Sequence, residues 1–386
     1  MEPGDFRDRR TFPGLEGGTF EILVRLGERL ERIPRVLLAP ILLAVVYLAA
    51  GTLPARAILL GAFCLSDWLL LLALPRFRLS DGPANGPALL LAILRAPFAW
   101  LPNPWSVPVQ MAGTLLLIYG FAIEPNWVEL THQRLLTPRW GSRRILRLLH
   151  FGDLHLESVS HRERRLVAIA RAAAPDLILI SGDFLSYSNV RDRRAWELVR
   201  GVLEQLSAPL GVFAVSGTPL VDSEDVLPEL FRGTPVQWLR DERVTLRHDS
   251  AEFDVIGLSC THKPFLDSPR LARLAPQPAD RLTILLYHTP DLAPDAALLG
   301  VDLQLSGHTH GGQVRLPWVG ALYPSSLYGK RFEVGRHQLG QMTLSVTRGL
   351  GMEGKGAPRV RFLCRPEITL WDISRPESPD DAGEGG

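Results

Sequence analysis

Two carboxylates and four imidazoles stand in order along this chain: Asp153 and His155, then Asp183, His288, His308 and His310. Each follows an apolar, strand-like run. Oxygen and nitrogen donors of this kind suit Mn, Fe or Zn, and a pair of such ions suits cleavage of phosphate esters. On an extended segment alternate side chains point the same way. Asp153 with His155, and His308 with His310, can therefore each reach one ion. Glycines at 307, 311 and 312 let backbone come close to a ligand. No element is specific alone: Asp-x-His recurs by chance, Gly182-Asp183 is also a turn dipeptide, and a single His288 fits a core. Their order, each after a buried run, is what points to a site.

The elements that must hold these residues are legible as periodicity. Residues 144–149, 177–180, 211–215, 253–258, 282–287 and 301–305 read as short buried strands. Residues 162–174, 195–206 and 227–231 read as helices, the first two amphipathic. Strands alternating with helices imply a layered α/β architecture, with the candidate ligands at the carboxyl ends of strands, where such folds usually place sites. The polar stretch 375–386, rich in Gly and Pro, reads as a disordered tail.

The first third of the chain has another character. The 386 residues carry a net charge of +1, which implies no strong attraction to nucleic acid. Cys64, Cys260 and Cys364 form no CxxC pair and imply no disulfide framework. Mean hydropathy is +0.08, and the excess lies before residue 125. Residues 36–55, 57–75 and 108–123 are apolar over about the length a bilayer needs. Residues 87–101 form a fourth span or a helix in the interface, because they are short and carry Arg95 and Pro97. Arg residues cluster before 36, at 76 and 78, and after 134. With four spans, these flanks place both termini in the cytoplasm; with three, one terminus changes side. The expected organisation is a cytoplasmic segment 1–35, a transmembrane region 36–124, a linker 125–144 and a soluble domain 145–374. Asp67, an acid inside an apolar run, is either functional or paired with Arg95 as structural glue.

The segments HFGDLHLE (150–157), PDLILISGDF (175–184), LLYHTPD (285–291), LSGHTHGGQVRLP (305–317), VTRGLG (346–351) and RPEITL (365–370) together resemble the calcineurin-like metallophosphoesterases. The match is to a bacterial branch with an N-terminal membrane anchor, and it runs from about 145 to 373. The resemblance implies a four-layer α/β/β/α sandwich around two divalent cations, Mn, Fe or Zn. Asp153, His155 and His310 resemble ligands of the first metal. Asp183 resembles the bridging carboxylate, and His288 and His308 resemble ligands of the second. Asp183 and His308 are also the residues expected to bear on catalysis. Two such ions, about 3.5–4 Å apart, would share a hydroxide that attacks phosphorus in line. The implied substrate is a phosphomonoester, phosphodiester or pyrophosphate at the inner membrane's cytoplasmic face. An anchor beside the site suggests a lipid-linked phosphate such as UDP-diacylglucosamine.

One segment departs from the family. Gly-Asn-His-Asp or Gly-Asn-His-Glu is expected after the third strand, where this chain has Ser216-Gly217-Thr218-Pro219-Leu220. Thr218 falls where Asn would bind the second metal. Pro219 falls where His would contact the phosphate and assist the leaving group, and it can donate nothing. The alternative is therefore a metal-binding membrane protein that senses or scaffolds without turnover. Asp222, Glu224 and Asp225 follow; they either supply a substitute ligand or form a solvated acidic loop, the expected state.

Overall fold

The computed structural model describes residues 1–15, 19–51, 53–102, 104–275, 280–352 and 354–376. Of the expected tail, 377–386 lie outside the described residues.

Largely apolar runs, Leu177–Ile180 and Thr283–Leu286 among them, form central strands buried on both faces, as parallel sheets require. One six-stranded sheet is built from β1 (Glu129–Leu136), β2 (Leu146–Phe151), β3 (Leu177–Ile180), β4 (Val212–Ala214), β5 (Val236–Trp238) and β14 (Glu367–Ser374). Its order is β1-β14-β2-β3-β4-β5, with β2 to β5 parallel and β14 antiparallel to β2. A second six-stranded sheet has β6 (Glu242–His248), β7 (Ala251–Gly257), β8 (Thr283–Leu286), β9 (Leu303–Ser306), β12 (Gly335–Leu339) and β13 (Met342–Val346) in the order β12-β13-β9-β8-β7-β6. Here β7, β8 and β9 run parallel side by side, so their carboxyl ends open on one edge. A short pair, β10 (Arg315–Leu316) and β11 (Gly320–Ala321), lies apart.

One apolar cluster joins both sheets through Leu148, Leu179, Phe213, Val255, Ile284 and Leu305. A second packs Leu166 and Ile169 of α6 (His161–Ala173) and Val199 of α7 (Arg193–Leu203) on the first sheet. A third packs Leu271 of α9 (Pro264–Leu274) and Ala296 of α10 (Ala293–Leu298) on the second sheet. Each Leu, Ile or Phe so buried contributes about 1.5–3 kcal/mol. Helix α6 starts at a reciprocal cap in which Ser160 and Glu163 satisfy each other's backbone N–H groups. The short helix α8 (Leu227–Phe231) forms as its sequence predicts. Residues 125–144, read as a linker, carry β1, which pairs in parallel with β14 and extends the first sheet.

The N-terminal third is helical: α1 (Thr19–Glu31), α2 (Arg35–Ala50), α3 (Pro54–Ala73), α4 (Asn85–Arg95) and α5 (Ser106–Ile118). Among the described residues two helices, Pro54–Phe77 and Ser106–Asn126, are long and apolar enough to cross a membrane. The segments Ile22–Glu31 and Arg35–Ala50, bent by 108° at their junction, reach that length and hydropathy only when counted together. The expected span at 87–101 differs: α4 has 11 residues and gives way to a 3₁₀ turn, Ala96–Trp100, at Pro97. At about 1.5 Å per residue it falls well short of the roughly 30 Å of hydrocarbon. Arg95 at its end pairs with Asp67, its Nε 2.6 Å from Oδ2, and also donates to Gln110 and Thr114. Both charges are buried, as structural glue between α3, α4 and α5.

Candidate metal centre

The six expected residues converge on facing strand ends. Asp153 and His155 follow β2, Asp183 follows β3, His288 follows β8, and His308 and His310 follow β9. All six are buried. Ligand atoms of Asp153, His155 and His310 lie within 4.8 Å of one another, and so do those of Asp153, Asp183 and His288. All but His288 have positive φ, from 37° at His155 to 68° at His308, a backbone state in which Asp and His are enriched. Gly307 is required by space, because a Cβ there would stand 2.7 and 2.8 Å from the Asp153 carboxylate oxygens.

Second partners orient the rings. His288 Nδ1 faces the Ser181 carbonyl at 2.8 Å, and His155 Nδ1 faces that of Leu185 at 3.1 Å. With Nδ1–H donated, each ring turns an Nε2 lone pair inward. His155 Nε2 and His310 Nε2 are 3.1 Å apart. Two nitrogens bound at right angles to one cation, at about 2.1 Å each, are separated by about 3.0 Å. Among the described residues His308 Nε2 is buried without a partner, which is costly unless something else satisfies it. Paired carboxylates, facing nitrogens and an orphaned imidazole fit divalent cations.

The same packing shifts the acids and bases. Burial pushes the Asp153 carboxyl up to about 6, with Asp183 adding to it. Burial disfavours charge on His288, yet the Asp183 and Asp153 carboxylates outweigh it and raise that imidazole to about 9. Asp183 is held well below the usual carboxylate range: His288, His155 and the Thr218 N–H overcome its burial.

Residues 146–312 match the family model for calcineurin-like phosphoesterase. The uncharacterized metallophosphoesterase YkuE of Bacillus subtilis is 30% identical over 265 residues, covering 66% of this chain and 89% of the relative. The chain belongs to the calcineurin-like phosphoesterase family. This phosphoesterase is also similar to phosphodiesterase YaeI of Escherichia coli, at 25% identity over 68% of this chain and 96% of that one. UDP-2,3-diacylglucosamine pyrophosphatase LpxG of Chlamydia muridarum is 26% identical, over 68% of this chain and 94% of its own. Family membership makes the protein a hydrolase of phosphoester bonds.

In this phosphoesterase Thr218 lies inside the site. The Thr218 N–H donates to Asp183 Oδ1 at 2.6 Å and its hydroxyl to Oδ2 at 3.2 Å; the hydroxyl oxygen is also 3.3 Å from His288 Nε2. Pro219 is exposed. Contrary to the expectation of a solvated acidic loop, Asp222 turns inward. Glu224 and Asp225 are exposed, but Asp222 is buried and takes backbone N–H groups from Asp183, Phe184 and Gly217. Burial and the Asp183 charge push Asp222 up to about 7.

Two further features had no motif to announce them. His262 sits beside His288 and His308, with ring centroids 5.7 and 4.6 Å away. Residues 12–15 cross the mouth of the site. Phe12 is buried against Phe265, and Gly14, at φ +80°, passes so close that a Cβ would stand 2.6 Å from His262 Cε1 and 2.9 Å from His308 Cε1. Beside them a cavity of about 120 Å³ is lined by Pro13, Leu15, Val24 and Val221 next to His308 and His310.

Proposed function

We propose that this protein is a membrane-anchored, metal-dependent phosphoesterase whose four-layer α/β/β/α domain, at the cytoplasmic face of the inner membrane, cleaves a phosphoanhydride in a lipid-linked substrate. The observation that carries it is the joining of Asp153, Asp183 and His288 with His155, His308 and His310 beside a cavity that Val24 of α1 helps to line. Asp153, His155 and His310 would hold one cation, and Asp183, His288 and His308 a second. Bound cations supply positive charge to phosphoryl oxygens and lower the pKa of coordinated water.

The residues themselves do the rest. Ser181 and Leu185 carbonyls fix the tautomers of His288 and His155. The Thr218 N–H and hydroxyl aim the Asp183 carboxylate. The Thr218 proton is committed to Asp183, and Pro219 has none to give. The leaving oxygen must therefore depart as an anion, which a phosphate does readily and an alkoxide does not. That favours pyrophosphate bonds over alkyl monoesters. α1 exposes Ile22, Leu23 and Leu26 while Val24 lines the cavity, which suits a helix lying on a lipid surface beside the site.

UDP-2,3-diacylglucosamine, the substrate in LpxG's name, is the first lipid-linked candidate. Full-length protein in detergent should hydrolyse it faster than an alkyl phosphomonoester of equal chain length, by about the 10²–10⁴-fold that general acid assistance is worth. Equal rates on both would sink the anhydride preference. A second reading, metal binding without turnover, is favoured by Pro219 alone and predicts background rates on both.

A further inference from the structure

We propose that His262 is a ligand of the second cation position, replacing the amide that Thr218 displaced; this rests on the metal-dependent reading above. The placement comes from topology. His262, His288 and His308 follow three adjacent parallel strands, β7, β8 and β9. One ring nitrogen from each lies within 4.8 Å of the others. His288 and His308 have ring centroids 5.1 Å apart, so the three imidazoles enclose one point. His262 also has the positive φ, +61°, that five of the six other candidate ligands have, His288 being the exception.

His262 is 3% exposed and, among the described residues, its Nε2 has no partner, while its Nδ1 edge faces the Pro13–Gly14 backbone. An unpaired buried nitrogen aimed among two other imidazoles costs free energy unless a cation takes it. The ring is also held in place. The buried Asp267 carboxylate accepts the Thr261 N–H at 2.9 Å, the Thr261 hydroxyl at 2.8 Å and the Tyr287 hydroxyl at 2.6 Å. One carboxylate thus anchors the residue before His262 and the residue before His288. The Thr218 hydroxyl is a weak neutral ligand, whereas a third imidazole turns the position toward nitrogen-preferring ions. Zn²⁺ suits such a set better than Mn²⁺ or Mg²⁺.

The test is Zn²⁺ titration of the full chain in detergent after chelation, against a chromophoric competitor. The native protein should bind two ions. His262→Ala should keep one and bind the other at least about 100-fold more weakly, the upper end of what losing an outer partner costs. Adding Thr218→Asn to His262→Ala should restore the second ion, a gain that a misfolded variant cannot show. X-ray absorption of the two-Zn native form should lose one imidazole scatterer in His262→Gln. Unchanged affinity for both ions in His262→Ala overturns the assignment and leaves the phosphoesterase reading standing. So does loss of inorganic phosphate binding with both ions retained, which would make His262 a phosphate contact. A native chain that binds no Zn²⁺ overturns both.

Discussion

The Asp222 carboxylate accepts the backbone N–H of Asp183 at 2.6 Å and that of Gly217 at 2.8 Å, so it ties the turn carrying one metal-centre carboxylate to the turn after β4. A third N–H, from Phe184, reaches its other oxygen at 3.1 Å. Asp222→Ala strands all three donors in the interior. At about 1–3 kcal/mol each, the loss should exceed about 3 kcal/mol, read by denaturant unfolding of the metal-free protein. Zn²⁺ affinity should fall about 10–100-fold, because Asp183 loses its orientation. An unchanged melt and affinity would mean that water replaces the carboxylate.

If Pro219 stands where the family's proton donor would be, it should set the leaving-group demand. Pro219→His should raise the rate on alkyl phosphates by about 10²–10⁴-fold and leave p-nitrophenyl esters nearly unchanged, since nitrophenolate needs no proton. Steady-state rates on the two ester classes check it. An equal gain on both would place the effect in binding rather than proton donation.

The buried Asp67–Arg95 pair links α3 to α4, as a structural role requires. Asp67→Ala leaves a buried guanidinium uncompensated and should cost about 3–5 kcal/mol, while Asp67→Ala with Arg95→Leu should recover most of it. Unfolding in detergent checks both variants. Hydrolysis per folded molecule should not change, and a selective loss of turnover would make the pair part of the function.

His150 makes stability fall in mild acid. Its imidazole is buried in β2 with Nε2 3.1 Å from Ser181 Oγ, and burial lowers it from 6.5 to about 3. Above pH 6.5 the ring is neutral in folded and unfolded chains alike. As pH falls from 6.5 toward 3, only the unfolded chain takes the proton, so folding weakens progressively, by about 2 kcal/mol at about pH 5. His150→Leu should flatten that part of the stability–pH curve by this amount. The same slope in both proteins would assign it to other groups.

Strands β3 and β8 were legible as nearly unbroken aliphatic runs and β2 and β9 as mostly apolar ones despite Arg147, His150 and Gln304; the six candidate ligands were legible because they follow those runs at motif spacing. β1 was not: ELTHQRLL mixes polar and apolar residues, as an edge strand does, and its partner β14 lies far along the chain. A carboxylate in the run Asp222-Ser223-Glu224-Asp225 looks like a solvated loop until packing shows which one turns inward. His262 has no motif spacing; its neighbours are set by the lateral order of β7, β8 and β9, which sequence periodicity does not encode. The shortness of α4 follows from Pro97, whose ring ends the α-helical run that hydrophobicity alone would extend.

Hydrolysis of bis-p-nitrophenyl phosphate by full-length protein and by Asp183→Asn, each stripped with chelator and reloaded with Mn²⁺ or Zn²⁺, weighs most directly on the proposed two-cation centre. Native turnover should vanish on chelation and return with metal, and Asp183→Asn should stay at least about 10²-fold lower at every metal concentration, since several kcal/mol of charge stabilisation is lost. Equal turnover by the two proteins, or turnover indifferent to chelation, would contradict it.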